Sequence, residues 1–289
     1  MKAPGLGRSL GLVLAGGGSL GAWQAGMLDG LVRAGLRFDD VLGFSIGSLN
    51  GAGYCLRKMD VLLDIWRNID GARVMRFKPK LFPLSLYTND AIAEVVTHGG
   101  DDDEARRNCR ARFTIVSTDK RDDRKCYARF TPQGEDGWDG PIHRHLMASC
   151  SIPIVFPPVQ IEVGGQIRHF VDGGVWVSEK ISFESLAGCE DILVLVMTRP
   201  DEIGRDPGWG YLPRREQTVR EGLWDYIDVG LSTLSAHPRR PRIFKVFPSR
   251  RLDYSMLGFK TRFCRPAVDQ GVLDASAFLK DPSKYLVGR

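Results

Sequence analysis

The sequence lacks several features that would assign it to a specialised class of protein. Its 289 residues contain no internal repeat and no low-complexity tract. The six cysteines form no C-x-x-C pair and have no histidine at ligand spacing, which argues against a zinc site and against a disulfide-rich secreted scaffold. With 43% hydrophobic and 26% charged residues, the composition is that of an ordinary folded protein that needs neither a disulfide nor a metal.

Charge of one sign is only slightly in excess, and no membrane-spanning run is evident. The net charge of +5 could favour an anionic membrane surface, but it is a weak indication, and we expect no nucleic-acid partner. The N-terminal apolar run, Leu10 to Ala15, is too short to cross a membrane and continues into Gly16-Gly17-Gly18 without a cleavage site. We therefore expect a buried first strand in a cytoplasmic protein that can associate with membranes.

Short apolar runs alternate with amphipathic segments along the chain. Buried strands are predicted at Leu10–Ala15, Val41–Phe44, Arg112–Ser117 and Ile192–Met197, helices at Leu20–Ala34 (capped by Ser19) and Val61–Ile69, and a hairpin at Gln160–Val171. This alternation predicts an α/β fold with a mainly parallel sheet. The stretch Pro200–Pro213 is interpreted as a surface loop rather than a linker, so a single domain is expected over residues 1–289.

A serine follows the second predicted strand at a tight strand-to-helix turn. In Gly43-Phe44-Ser45-Ile46-Gly47, small residues two positions before and after the serine let strand and helix approach while Ser45 stays accessible. The positive N-terminus of the following helix points at the turn. This pattern also arises by chance in a chain with 33 glycines, but its placement directly after an apolar run favours Ser45 as a nucleophile.

The glycine loop Gly16-Gly17-Gly18 admits two functional interpretations. Its N–H groups, unobstructed by side chains, suit an oxyanion hole. Together with Gly21 it also satisfies the dinucleotide-binding fingerprint, which would predict a nicotinamide-dependent enzyme. That fingerprint requires an acid after the second strand, whereas Asp39 and Asp40 precede the strand and Ser45 holds the required position. The oxyanion interpretation is favoured, and close packing of glycines is a third explanation.

Carboxylates and histidines are the candidate bases that could accept the proton of Ser45. Asp172 ends an apolar segment and precedes Gly173-Gly174, which allow its carboxylate to approach another loop. Partial burial would raise its proton affinity enough for it to act as a base, although a plain hairpin turn is common for such a pattern. Only His237 follows Asp172 in the order of a Ser-Asp-His triad, and it has no other catalytic cue. The other histidines precede Asp172: His98, His143, His145 and His169.

Four separated blocks together resemble the patatin-like phospholipase family. They are Gly16–Gly26, Gly43–Ala52, the proline-bearing segment Ala148–Pro158, and Asp172–Gly174, and they cover roughly residues 10 to 180 in the family's order and spacing. The resemblance implies a three-layer, patatin-like α/β fold, completed by residues 181–289. It also implies a Ser-Asp dyad of Ser45 and Asp172, an oxyanion hole at Gly16, Gly17 and Gly18, and no catalytic metal or cofactor.

The resemblance further implies a lipid acyl hydrolase of the phospholipase A or lysophospholipase type, with peripheral membrane contact. One departure is Leu20, which stands where many members carry Arg or Lys. A nicotinamide-dependent enzyme and a catalytically idle lipid-binding member remain the alternatives. Apolar residues considered for membrane contact, with core packing favoured for each, are Phe82, Leu84, Leu86, Tyr87, Trp224, Tyr226 and Ile227.

Overall fold

A nine-stranded sheet dominates the part of the chain described by the computed structural model, which comprises residues 5–71, 76–80, 85–88, 101–174 and 179–288. Strand order is β11-β10-β9-β1-β2-β5-β8-β7, with β6 also paired to β5, and β3 and β4 form a separate hairpin. The strands are β1 (Leu10–Leu14), β2 (Asp40–Phe44), β3 (Phe77–Lys80), β4 (Ser85–Tyr87), β5 (Arg112–Asp119), β6 (Arg124–Phe130), β7 (Val159–Val163), β8 (Gln166–Asp172), β9 (Asp191–Leu195), β10 (Arg242–Val246) and β11 (Leu286–Gly288).

The five central strands, β10, β9, β1, β2 and β5, run parallel, and the antiparallel strands lie outside them. Helices cover both faces of the sheet. Successive side chains of β1 accordingly pack into two different apolar clusters, one on each face. Leu12 and Leu14 pack in a cluster with helices α1 (Gly21–Arg33) and α7 (Thr261–Lys280), whereas Val13 packs in a second cluster with Ile227 of helix α6 (Tyr211–Ala236). The result is the predicted three-layer α/β architecture, in which residues after 181 supply β9 beside β1 and β10 beside β9.

Seven α-helices lie within the described ranges. They are α1 (Gly21–Arg33), α2 (Ile46–Cys55), α3 (Met59–Arg67), α4 (Asp102–Asn108), α5 (Ile142–Ser149), α6 (Tyr211–Ala236) and α7 (Thr261–Lys280). Among these helices, none combines the length and apolar character needed to cross a membrane.

The predicted strands, helices and hairpin are confirmed within a few residues at each end, with one error at a helix start. Ser19 does not cap α1, which begins at Gly21 after a short 3-10 turn of residues 18–20. The Ser19 hydroxyl instead donates to the carbonyl of Ser255, because the loop before α7 lies against this turn. The stretch Pro200–Pro213 is mostly exposed loop, but its last residues already belong to α6.

The closest helix packing joins α1 to α7 through two glycines. A Cβ added at Gly26 would overlap the carbonyl oxygen of Val268, and one added at Gly271 would overlap that of Trp23. Trp23 also donates from its indole nitrogen to Asp274 at 2.7 Å, which links the two helices by a buried hydrogen bond. The glycines are therefore required by the separation of the helix axes rather than by backbone conformation.

Replacing Gly26 by Ala is expected to lower the free energy of unfolding by about 1–3 kcal/mol, because the helices must separate to admit the methyl group. Urea-induced unfolding followed by circular dichroism measures the change. Gly222→Ala in α6 is the matched control, since an added Cβ there meets no atom within 4 Å. The control should gain up to about 1 kcal/mol from helix propensity. Equal effects at both positions would contradict this account of the packing.

Candidate active site

Ser45 occupies a strained turn between β2 and α2. Its backbone has φ 53° and ψ −136°, a conformation that a non-glycine residue adopts only where neighbours enforce it. The flanking glycines allow the turn to close. A Cβ at Gly43 would come within 2.7 Å of the Gly47 carbonyl oxygen, and one at Gly47 would overlap the carbonyl of Leu14. The spacing predicted from the sequence is thus explained by close packing of α2 against β1 and β2.

The C-terminal end of α5 and the residue after it hold the backbone of Ser45. The Ser149 hydroxyl accepts a hydrogen bond from the Ser45 N–H at 3.0 Å and donates to the carbonyl of Val116 at 2.6 Å. The carbonyl of Ser45 accepts from the Cys150 thiol at 3.1 Å and from the Ser48 hydroxyl at 2.7 Å. Both backbone polar groups of Ser45 are therefore satisfied inside the protein, which compensates for the cost of the unusual conformation.

Asp172 lies level with Ser45 across strand β5. Phe44 of β2 pairs with Val116 of β5, and the next residue of β5, Ser117, pairs with Asp172 of β8. The strand register thus brings the residue after Phe44 and the carboxylate of Asp172 to the same level of the sheet. Both side chains line one cavity, and both residues are buried, at 8% exposure for Ser45 and 4% for Asp172.

The two carboxylate oxygens of Asp172 have different surroundings. Oδ1 accepts from the Gly174 N–H at 2.7 Å, whereas the buried Oδ2 makes no well-formed hydrogen bond within the described ranges. Burial raises the pKa of Asp172 from 3.8 to about 6, and the Ser45 side chain is the neighbour that lowers this pKa most. The serine hydroxyl and the carboxylate therefore interact, although their contact falls short of ideal hydrogen-bond geometry.

A buried lysine lies behind the aspartate. Lys125 of β6 donates from Nζ to the Gly173 carbonyl at 2.8 Å and to the Thr118 hydroxyl at 3.1 Å, and the same hydroxyl donates to the Asp172 carbonyl. Burial lowers the pKa of Lys125 to about 8, although the charges of Asp172 and Glu179 raise it. The positive charge of Lys125 in turn lowers the pKa of Asp172. Lys125 thus fixes the backbone around Asp172 and moderates its proton affinity.

The glycine loop lies directly against the serine turn. A Cβ at Gly16 would approach within 3.0 Å of the Ser45 Cβ, and Gly18 has φ +57° with the Met256 carbonyl pressed against it. The N–H groups of Gly16, Gly17 and Gly18 donate to no backbone carbonyl within the described ranges. Leu20, in place of a basic residue, is 1% exposed and packs in the main apolar cluster, so this position contributes to the core.

Two cavities meet at Ser45. The larger has a volume of about 430 Å³ and is bounded by the glycine loop, Asp172 and one face of α6. The smaller, about 80 Å³, is lined almost entirely by apolar side chains, among them Leu49, Trp66 and Phe259. Space of this size and character beside a buried hydroxyl suits an apolar chain attached to a reacting group.

The structure separates the other sequence candidates from this site. Asp40 forms two hydrogen bonds with Arg112, and Asp39 accepts from the Leu10 N–H, all at the opposite end of β1 and β2 from the glycine loop. His237 lies at the C-terminal end of α6, eleven residues or about 16 Å beyond the last α6 residue that lines the cavity. No histidine in the described residues lines either cavity.

The residues considered for membrane contact differ in how deeply they are buried. Tyr226 and Ile227 are buried in the core at 1% and 0% exposure, as favoured, and Trp224 is half-buried under Lys245. Leu86 is 40% exposed and Tyr87 is half-buried. Phe82 and Leu84 lie outside the described residues.

Sequence reasoning missed Lys125, Ser149 and the α6 face of the cavity. Ser149 lies inside the Ala148–Pro158 block, so its neighbourhood was identified without its role. Lys125 offered no local signal, because it follows Arg124 at the end of a charged stretch and only the pairing of β5 with β6 and β8 brings it to Gly173.

Comparison with known proteins extends the geometric description. The sequence matches the patatin-like phospholipase family over residues 12–182, more than half of the chain. Over 56 residues, 19% of the chain, it is 50% identical to lysophospholipase nte1 of Aspergillus terreus, and over 49 residues, 17% of the chain, it is 53% identical to neuropathy target esterase sws of Drosophila persimilis.

These matched parts are short in the relatives themselves, at 4% and 3% of their lengths. VipD from Legionella pneumophila superposes on 94% of the chain and 67% of its own with a TM-score of 0.45 and 13% sequence identity. The match over residues 12–182 contains the serine turn, the glycine loop and Asp172, and the chain belongs to the patatin-like phospholipase family.

Proposed function

We propose that this protein is a lipid acyl hydrolase in which Ser45 is the nucleophile and Asp172 the general base. The observation that carries the proposal is the pairing of a strained, buried serine with a carboxylate whose Oδ2 is left without a well-formed hydrogen bond. A buried carboxylate in that condition is costly to maintain for structure alone, because an unsatisfied polar group destabilises the fold. Such a carboxylate is useful where it must accept a proton during a reaction.

In the proposed reaction, Ser45 Oγ attacks the carbonyl carbon of an ester as its proton passes to Asp172 Oδ2. The N–H groups of Gly16, Gly17 and Gly18 stabilise the negative oxygen that forms. Collapse of this intermediate breaks the bond to the alcohol, which leaves with the proton from Asp172. Water then attacks the acyl-Ser45 ester, gives its proton to Asp172 and releases the fatty acid, and that proton returns to Ser45.

The substrate class follows from the cavities and from the relatives. The apolar lining of both cavities suits a fatty acyl chain. Two similar proteins are named a lysophospholipase and an esterase, which supports a phospholipid or lysophospholipid ester as the substrate of this chain. The chemistry needs no cofactor, because Ser45, Asp172 and backbone N–H groups supply every group that it uses.

The nicotinamide alternative is not supported by the positions of the acids. A ribose-binding carboxylate must lie beyond the second strand, near the glycine loop. Asp39 and Asp40 lie at the start of that strand and are already engaged by Leu10 and Arg112.

A fluorophosphonate probe should label the folded protein at Ser45, because the probe reacts with serines activated for acyl transfer. Mass spectrometry of the digested adduct assigns the modified residue. Ser45→Ala should abolish both labelling and hydrolysis of phospholipid and lysophospholipid esters. Asp172→Asn should lower kcat by about 10²–10⁴-fold, since it removes the general base while keeping the shape of the side chain.

His237→Ala is the control for a triad and should retain full activity, because His237 lies at the far end of α6. Hydrolysis that depends on His237, or that survives Asp172→Asn, would overturn the Ser45–Asp172 dyad. A folded protein that neither reacts with the probe nor turns over any ester would be the idle lipid-binding member instead.

The pH profile of kcat/KM provides a separate prediction. Asp172 must be a carboxylate to accept the serine proton, and its pKa is raised to about 6. Activity should therefore fall as the pH drops through about 6 and reach a plateau at higher pH. Lys125→Met should move this acid limb to higher pH, because the removed charge lowers the pKa of Asp172.

Lys180→Met is the matched control for the loss of a nearby positive charge, since Lys180 is not among the groups that shift the pKa of Asp172. Lys125→Arg, which keeps the charge, should leave the position of the limb near that of the original protein. A limb that stays in place in Lys125→Met, measured on folded protein, would show that Lys125 does not tune the base.

A further inference from the structure

The most exposed aromatic side chain of the described ranges lies just before α6, the helix that lines the larger cavity. Trp209 is 96% exposed, and Tyr211 and Leu212, which follow at the start of α6, are 70% and 77% exposed. Exposing a group of large apolar side chains to water is unfavourable unless another surface covers them. We call Trp209, Tyr211 and Leu212, together with Arg205 and Arg214, the aromatic–basic patch.

Nearby acids offset only part of the patch's positive charge: Asp206 follows Arg205 in the chain, and Arg199 and, less strongly, Arg205 lower the pKa of Asp201. Neither Arg205 nor Arg214 forms an ion pair with a described carboxylate, and both are exposed. The closest acid on α6, Glu216, is turned inward, where it accepts hydrogen bonds from Arg220, from the Ser255 hydroxyl and from the Met256 N–H. From residue 205 to residue 215 the chain carries Arg205, Arg214 and Arg215 against Asp206, so this surface combines apolar side chains with a small excess of positive charge.

One face of α6 connects the patch to the cavity. Arg215, Val219 and Gly222 line the cavity at helical spacing, and Tyr211 continues the same face one turn toward the patch, where its hydroxyl accepts from Arg215 Nε at 2.9 Å. Val219 and Leu257 both line the cavity and remain 48% and 43% exposed, so they mark its opening. The patch is thus continuous with an apolar entrance that leads to Ser45.

We propose that the aromatic–basic patch docks the protein on an anionic lipid bilayer, with the cavity entrance facing the lipid. Trp and Tyr favour the interface between headgroups and acyl chains, because one end of each ring is apolar and the other polar. Arginines beside them attract anionic headgroups. Delivery of a lipid along α6 rests on the proposed function, whereas docking itself does not require that Ser45 reacts.

The test is sedimentation of the full chain with vesicles, using Ser45→Ala protein so that no lipid is consumed. One set of vesicles contains phosphatidylcholine alone, and the other contains phosphatidylcholine mixed with phosphatidylglycerol. Trp209→Ser with Leu212→Ser should lower the partition coefficient on the mixed vesicles about tenfold or more. The control is Leu273→Ser, which changes a similarly exposed leucine (70%, against 77% for Leu212) on α7, on the other face of the sheet, and it should bind unchanged.

A second pair of variants tests the charge. Arg205→Gln with Arg214→Gln should lower binding to the mixed vesicles by about tenfold and leave the weaker binding to phosphatidylcholine unchanged. Arg239→Gln with Arg240→Gln removes the same charge at the other end of α6, where both arginines are exposed, and should have little effect.

Hydrolysis of a water-soluble short-chain ester separates docking from chemistry. In protein that retains Ser45, the Trp209→Ser and Leu212→Ser changes should leave this hydrolysis unchanged while slowing hydrolysis of vesicle lipid. Absence of all ester hydrolysis would contradict the proposed function alone, because vesicle binding is measured without turnover. Binding that is equal in the patch variant and the Leu273→Ser control, or absent from both kinds of vesicle, would overturn lipid docking and leave the patch to a protein partner.

Discussion

The positive-φ backbone conformation of Ser45 is the constraint on which the site depends. Such a conformation costs a non-glycine residue about 1–3 kcal/mol, so it persists only where the surroundings enforce it. Here β1 and β2 pair in register, with Leu14 opposite Gly43, and the Leu14 carbonyl leaves room at Gly47 for no side chain. Because the ends of these two parallel strands are adjacent, the same pairing that forces the turn also places the glycine loop beside it.

The electrostatics of the site follow from the second pairing, that of β5 with β6 and β8. It carries Asp172 to the level of Ser45 and Lys125 to the carbonyl of Gly173. Burial raises the pKa of the acid and lowers that of the lysine, which brings the two values closer together. Each charge limits the shift of the other, so the carboxylate is basic enough to accept a proton yet remains ionised near neutral pH.

Local sequence patterns were enough to predict the features that depend on neighbouring residues in the chain. The strand before Ser45, the glycines around it and the turn after Asp172 were predictable because close approach of backbones restricts the residue types allowed there. Ser19 was assigned as a helix cap from its propensity, but its hydroxyl donates instead to the carbonyl of Ser255, which is distant in the sequence. Lys125 and Ser149 were not predictable as site residues, because their partners lie far along the chain and depend on strand order.

Helix α6 shows why a single amphipathic pattern underdetermines function. Its C-terminal half buries Ile227 and Leu234 against the sheet, as any surface helix does. Its N-terminal half instead turns Val219 and Gly222 toward a cavity and carries Tyr211 and Leu212 into solvent. The helical period is the same in both halves, so the pattern cannot distinguish a face that packs from one that borders empty space. The docking role proposed for the exposed residues therefore rests on the position of Ser45 beneath that space and not on the helix pattern.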